Sequence, residues 1–193
     1  MNRTTALSAV ASVLLSLAPL TQAEIIPYAT NLGPEVSGAT GSGFVTVDYD
    51  STAHTLSIEA NWSGLSGTTT VAHIHCCTGA PFFGTVGVAV TPNTLPGFPP
   101  GVTSGTYSTI LDLTQSATFT AGFITNFAGG VLANAEAALI SGFDGHLAYF
   151  NIHSNAFPSG EIRGFLQAVP EPATLALLAF GLAGLGFSRR KQR

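Results

Sequence analysis

Apolar and polar residues alternate through much of the chain between residues 43 and 166. In Thr55-Leu56-Ser57-Ile58-Glu59-Ala60-Asn61-Trp62 every second side chain is apolar, the signature of a strand with one buried face. Residues 43–49, 69–75, 86–90, 107–113, 145–153 and 161–166 carry related patterns. Gly64-Leu65-Ser66-Gly67 and the long loop 91–105 separate them with turn-forming residues. One segment departs from this pattern. Residues 131–140 are rich in Ala and Leu and stop short of Gly142, which predicts one short helix lying across the sheet edge. About seven strands and one helix predict a mainly β fold, an antiparallel β-sandwich or a Greek-key barrel.

The two ends break the alternation. Residues 1–23 open with Arg3, run apolar from 6 to 17 and finish on Thr21-Gln22-Ala23. A positive start, an apolar stretch too short for a bilayer and a small residue at the cut point make a secretory signal peptide. At the other end, Pro170 and Pro172 stop any incoming element. Residues 173–187 are an unbroken apolar run, closed by Arg189, Arg190, Lys191 and Arg193. As a helix, that run falls short of the ~30 Å hydrocarbon core. Its basic end stays cytoplasmic by the positive-inside rule, which leaves the body outside. The chain therefore divides into a signal helix at 1–23, a β domain at 24–168 and a C-terminal apolar helix within 169–193, a sorting or anchor segment.

Charge narrows the choice of partner. Charged residues make up only 8% of the chain, where soluble domains usually carry about a quarter. Within 24–168, Arg163 is the sole base against nine acids. So acidic a body has no footprint for a phosphate backbone, which excludes nucleic acid.

Pro170-Glu171-Pro172, the apolar run and the basic terminus together resemble the PEP-CTERM sorting signal of bacteria. The resemblance implies handling by the export machinery and an exosortase-type membrane transpeptidase, in a Gram-negative cell with an extracellular matrix or biofilm. It implies a place in the cell envelope, on the outer surface or outside the cell, with a transient or retained C-terminal membrane segment.

Strand parity then groups the residues that carry chemistry, because alternate side chains share a face. His73 and His75 point one way, and Ala72 and Ile74 the other. Tyr149, Asn151 and His153 oppose Ala148, Phe150 and Ile152. Glu161 and Arg163 oppose Ile162 and Gly164. If these strands are neighbours, Ile74, Ile152 and Ile162 pack together, and the polar residues gather on the opposite face or at its rim.

Ala72-His73-Ile74-His75, Tyr149-Phe150-Asn151-Ile152-His153 and Gly160-Glu161-Ile162-Arg163-Gly164 resemble the signature blocks of the CHRD domain, the module named from chordin. That likeness spans roughly 42–167. It implies a β-sandwich module on extracellular proteins and supplies no reaction. The sequence departs from the commoner pattern at Cys76-Cys77, where a glycine usually follows the second histidine.

Two readings of the polar set remain open. In the first, His73, His75, Asn151, His153, Glu161 and Arg163 form a hydrogen-bonded network that fixes strand register, with Arg163 neutralising Glu161. No cofactor is expected in that case. In the second, His73, His75, His153 and Glu161 hold zinc or copper. Cys76 and Cys77 are the only cysteines, so in an oxidising compartment an intramolecular disulfide must join neighbours. Their Cα atoms lie about 3.8 Å apart in a trans peptide, below the usual range of roughly 4.4–6.8 Å. No G-x-S-x-G elbow, P-loop or H-E-x-x-H is present. The expectation is an exported, non-catalytic envelope or matrix module with a structural or adhesive role, its partners envelope or matrix components. The alternative is an extracytoplasmic zinc or copper binder.

Overall fold

The computed structural model describes residues 24–170, and in these every strand pairs antiparallel. The strands are β1 (Ile25–Pro34), β2 (Ser42–Asp50), β3 (Thr55–Ser63), β4 (Thr69–His75), β5 (Val88–Val90), β6 (Gly105–Asp112), β7 (Tyr149–Ser154), β8 (Ile162–Phe165) and β9 (Gln167–Ala168). They form one curled sheet, a half-barrel, in the order β5-β4-β7-β8-β1-β2-β3-β6, with β9 also on β1. The mainly β, antiparallel architecture is the expected one.

Cross-strand rows of apolar side chains hold the sheet. Val45 stands opposite Ala60, and Ala60 opposite Tyr107; Tyr49, Leu56 and Leu111 form a second row. Ala72, Ile152 and Ile162 form a third across β4, β7 and β8. These residues all belong to or pack against one buried core. Trp62 is buried in it and stacks on Phe98 at 5.2 Å between ring centres.

β1 was not predicted. It carries Pro27 and Pro34, and proline cannot donate to a ladder. Both are accommodated: Pro27 keeps its carbonyl, which accepts from the Val169 amide at 2.8 Å, and Pro34 ends the strand. Tyr28 and Leu32 supply the buried face. β1 is the long member that joins the two halves, pairing β2 on one side and β8 and β9 on the other.

Two helices, not one, lie among the described residues: α1 (Ala121–Phe127) and α2 (Ala135–Asp144). α1 escaped notice because Phe123, Ile124, Thr125 and Phe127 are not strong helix formers. A cap starts it, with the Thr120 hydroxyl accepting from the Phe123 amide at 3.1 Å. The predicted 131–140 helix is instead a 3₁₀ turn, Leu132–Asn134, followed by α2. α2 buries Leu139 and Phe143 completely and sets Phe143 edge-on to Tyr28 at 5.0 Å. No single helix among the described residues is long and apolar enough to cross a membrane. The signal segment, Glu171 and Pro172 of the sorting motif and the apolar tail lie outside the described residues.

α2 runs through Gly142, where a side chain would have nowhere to go. A Cβ would stand 2.7 Å from Cys77 Sγ and closer still to Cys76 Sγ. Gly142→Ala is expected to destabilise the domain by about 1–3 kcal/mol, the usual cost of overpacking. Gly122 in α1 has nothing within 4 Å, so Gly122→Ala is expected to be neutral or stabilising by about 0.5–1 kcal/mol. Urea unfolding of both variants checks the contrast.

Candidate metal centre

β4, β7 and β8 lie side by side, and their register sets the site. His73 faces Asn151, which faces Arg163. One row along, His75 faces Tyr149, which faces Phe165. His153 lies two residues beyond Asn151 on the same face of β7. Behind these rows Ala72, Ile74, Phe150, Ile152 and Ile162 are fully buried, so the apolar core fixes which way the histidines point.

Each imidazole is also fixed from a loop. His73 Nε2 lies 2.7 Å from the Asn93 carbonyl, His75 Nδ1 2.8 Å from that of Val86, and His153 Nδ1 2.8 Å from that of Pro158. A carbonyl oxygen only accepts, so each of these nitrogens carries its ring's proton. In the neutral ring the opposite nitrogen is then a bare lone pair: Nδ1 of His73, Nε2 of His75 and Nε2 of His153. His73 Nδ1 and His153 Nε2 stand 3.3 Å apart, and with both protons committed elsewhere no hydrogen joins them. His75 Nε2 is buried and has no partner. One nitrogen from each ring lies within 4.8 Å of the other two.

Burial disfavours the charged form of two of the rings, His73 and His75. It lowers His73, against the pull of the Asn93 carbonyl. His75 is lowered to about 4, again chiefly by burial, with His73, His153 and Arg163 adding to it. The facing groups supply no free carboxylate, because Glu35 is occupied by Arg163 and Asn151. A pKa depressed on folding gives stability that is full above the unfolded value of about 6.5 and is lost as pH falls toward the folded one. The metal-free domain is therefore expected to lose roughly 2–3 kcal/mol through His75 between pH 7 and pH 4.5. Denaturant unfolding at the two pH values, beside His75→Gln, measures it.

The remaining polar residues do not join the triad. Glu161, grouped with the histidines on parity, is fully buried but turned to the loop before β4. Its carboxylate accepts from the amides of Ser66 and Gly67. Burial pushes its pKa up, but hydrogen bonds from Ser154, Ser66 and Gly67 outweigh that and hold it below the ordinary value. Nor does Arg163 pair with Glu161. Its Nη1 lies 3.3 Å from Glu35 Oε1 and donates to the Gly84 carbonyl at 3.0 Å. Asn151 Nδ2 donates to Glu35 Oε2. Glu35 is raised by burial, opposed by Arg163, His153 and Asn151. Sequence reasoning missed Glu35 because it follows the unrecognised β1. The guanidinium lies 5.0 Å above the Tyr149 ring, and Tyr149 stacks on His75 at 4.7 Å. The sulfurs of Cys76 and Cys77 are joined across a cis peptide.

One pair of ring nitrogens already has the spacing that a bound zinc would set. Zn–N bonds of about 2.0–2.1 Å in a tetrahedron place neighbouring nitrogens about 3.3–3.4 Å apart, the spacing of the His73–His153 pair. Metal-bound histidines characteristically donate their second N–H to a carbonyl or carboxylate, as all three do here.

A curled antiparallel β domain with a histidine cluster on one face defines the class of module. The CHRD domain matches residues 17–166, and the chain belongs to that family. The PEP-CTERM protein-sorting motif matches residues 168–191. That motif implies recognition by exosortase-type sorting machinery and export to the cell envelope or surface. No curated protein and no solved structure gives a significant match.

Proposed function

We propose that the domain is an exported metal-binding module that holds one zinc or copper ion between His73, His75 and His153. One observation carries this reading. The proton of each ring is held by a loop carbonyl, which leaves each ring one bare nitrogen, and one nitrogen from each ring lies within 4.8 Å of the other two. Like dipoles brought together in a buried place are costly unless a cation or a proton fills the gap. Burial disfavours a second proton on His73 and on His75. A bound ion satisfies all three at once and ties β4, β7 and their loops together, so binding stabilises the fold.

The test is elemental analysis of the full chain. The protein is stripped with a chelator, challenged with excess zinc or copper and passed through a desalting column. About one ion per chain is expected, with a higher melting temperature. Sub-stoichiometric metal with an unchanged melting temperature defeats the reading.

A second reading, adhesion to envelope or matrix material, has a separate observation behind it. On the far half of the sheet Phe44, Glu59, Asn61, Thr106 and Ser108 line an open depression, and Phe44 is exposed at its rim. An aromatic face amid polar side chains suits a polar, ring-bearing partner. Binding of the full chain to isolated envelope fractions, and its loss in Phe44→Ala, tests this.

A further inference from the structure

If the triad holds a divalent ion, the donors and charges around it determine what else must bind. This step rests on the metal reading above. The protein supplies, among the described residues, three converging donors and no fourth. Among the described residues the group of His, Cys, Asp and Glu atoms that converge is His73, His75 and His153 alone. The neighbouring candidates are committed. Both oxygens of Glu35 are taken, by Arg163 and by Asn151. Glu161 accepts from two backbone amides. Cys76 and Cys77 are joined to each other. The Tyr149 hydroxyl is shared with the Val86 backbone.

Charge points the same way. The three rings are neutral ligands, and the nearby Glu35–Arg163 pair sums to zero. A divalent ion would therefore bring two positive charges with no protein anion to offset them, in a place where unpaired charge is costly. His73, His75 and His153 keep only 7%, 8% and 9% of their surface exposed, so an anion that joins them must be small.

We infer that the loaded centre is coordinatively open and takes a small monovalent anion from solution as its fourth ligand, a halide, a free carboxylate or azide. Three protein ligands with a fourth, exchangeable position is the open geometry of zinc, in contrast to the closed four-ligand structural site.

Cobalt(II) reports this directly, because its visible bands follow coordination number and ligand type. The stripped full chain is loaded with cobalt, run on size exclusion and titrated with azide, then separately with acetate. Expected is a loaded monomer whose visible spectrum shifts and saturates with each anion. The doubly substituted Glu35→Gln, Arg163→Met protein should load cobalt equally and bind azide within a few-fold of wild type, because the pair it removes carries no net charge. A loaded monomer whose spectrum ignores azide and acetate overturns the open position while leaving metal binding intact. A loaded dimer silent to azide also overturns it, since a carboxylate from a second copy would then fill the place. Failure to load cobalt, zinc or copper removes the metal reading and this inference with it.

Discussion

Replacing any one of His73, His75 and His153 with alanine is expected to weaken zinc or copper binding by at least about 100-fold, while Glu161→Gln leaves it within a few-fold. Losing a hydrogen-bond partner of a metal-bound histidine typically costs about 10–100-fold, so losing the ligand itself costs more. With three donors and no fourth among the described residues, two remaining imidazoles cannot hold an ion against competing water. Glu161 makes the sharper control. Parity along the strands put it among the ligands, but its oxygens face Ser66 and Gly67. Glu161→Gln should therefore act on stability alone, because an amide has only one oxygen to offer the two N–H groups and carries no charge. Competition against a chromophoric chelator gives the affinities, and circular dichroism checks that each variant is folded. Metal binding lost in Glu161→Gln but kept in His75→Ala would reverse the assignment.

The same contrast marks how far the sequence can be read. The period of a strand is two, so His73 and His75, and likewise Asn151 and His153, had to share a face once β4 and β7 were recognised. Burial of Ile74, Ile152 and Ile162 on the opposite face then set the sheet's inside. Parity fails where a strand ends. Glu161 and Arg163 are two residues apart and would share a face in a continuous strand, but β8 begins at Ile162, and Gly160 ahead of it has a positive φ of 131°. The backbone turns there, and the two side chains go separate ways. The partner Arg163 does find, Glu35, follows β1, a strand outside the alternating pattern read from residue 43 onward. Least legible of all are the carbonyls of Val86, Asn93 and Pro158. Every residue has a carbonyl, so no side-chain pattern announces which three will orient the rings, and loop conformation alone decides it. The disposition of bare nitrogens, on which the metal reading rests, comes from those loops.

Arg163→Met is expected to destabilise the domain by about 3 kcal/mol near pH 7, and adding Glu35→Gln should recover most of the loss. Glu35 keeps 9% of its side-chain surface and Arg163 22%. Removing the guanidinium leaves a mostly buried carboxylate without its counter-ion, which costs about 3–5 kcal/mol for a fully buried pair and somewhat less at this exposure. The pH dependence has a definite sign. Burial already raises the Glu35 pKa even with Arg163 beside it, and without the cation it rises further. A carboxyl whose pKa is raised on folding loses stability as pH climbs through the folded value, and regains it below. The gap between wild type and Arg163→Met should therefore be widest at neutral pH and shrink as the solution is acidified, while in the double variant the Glu35 contribution to pH dependence disappears. Urea unfolding of the four proteins at pH 7 and pH 5 completes the cycle. Equal stability of wild type and Arg163→Met at pH 7 would mean that water reaches the Glu35 carboxylate. The polar column from Glu35 through Asn151 would then do nothing to hold β7 and β8 against the histidine face.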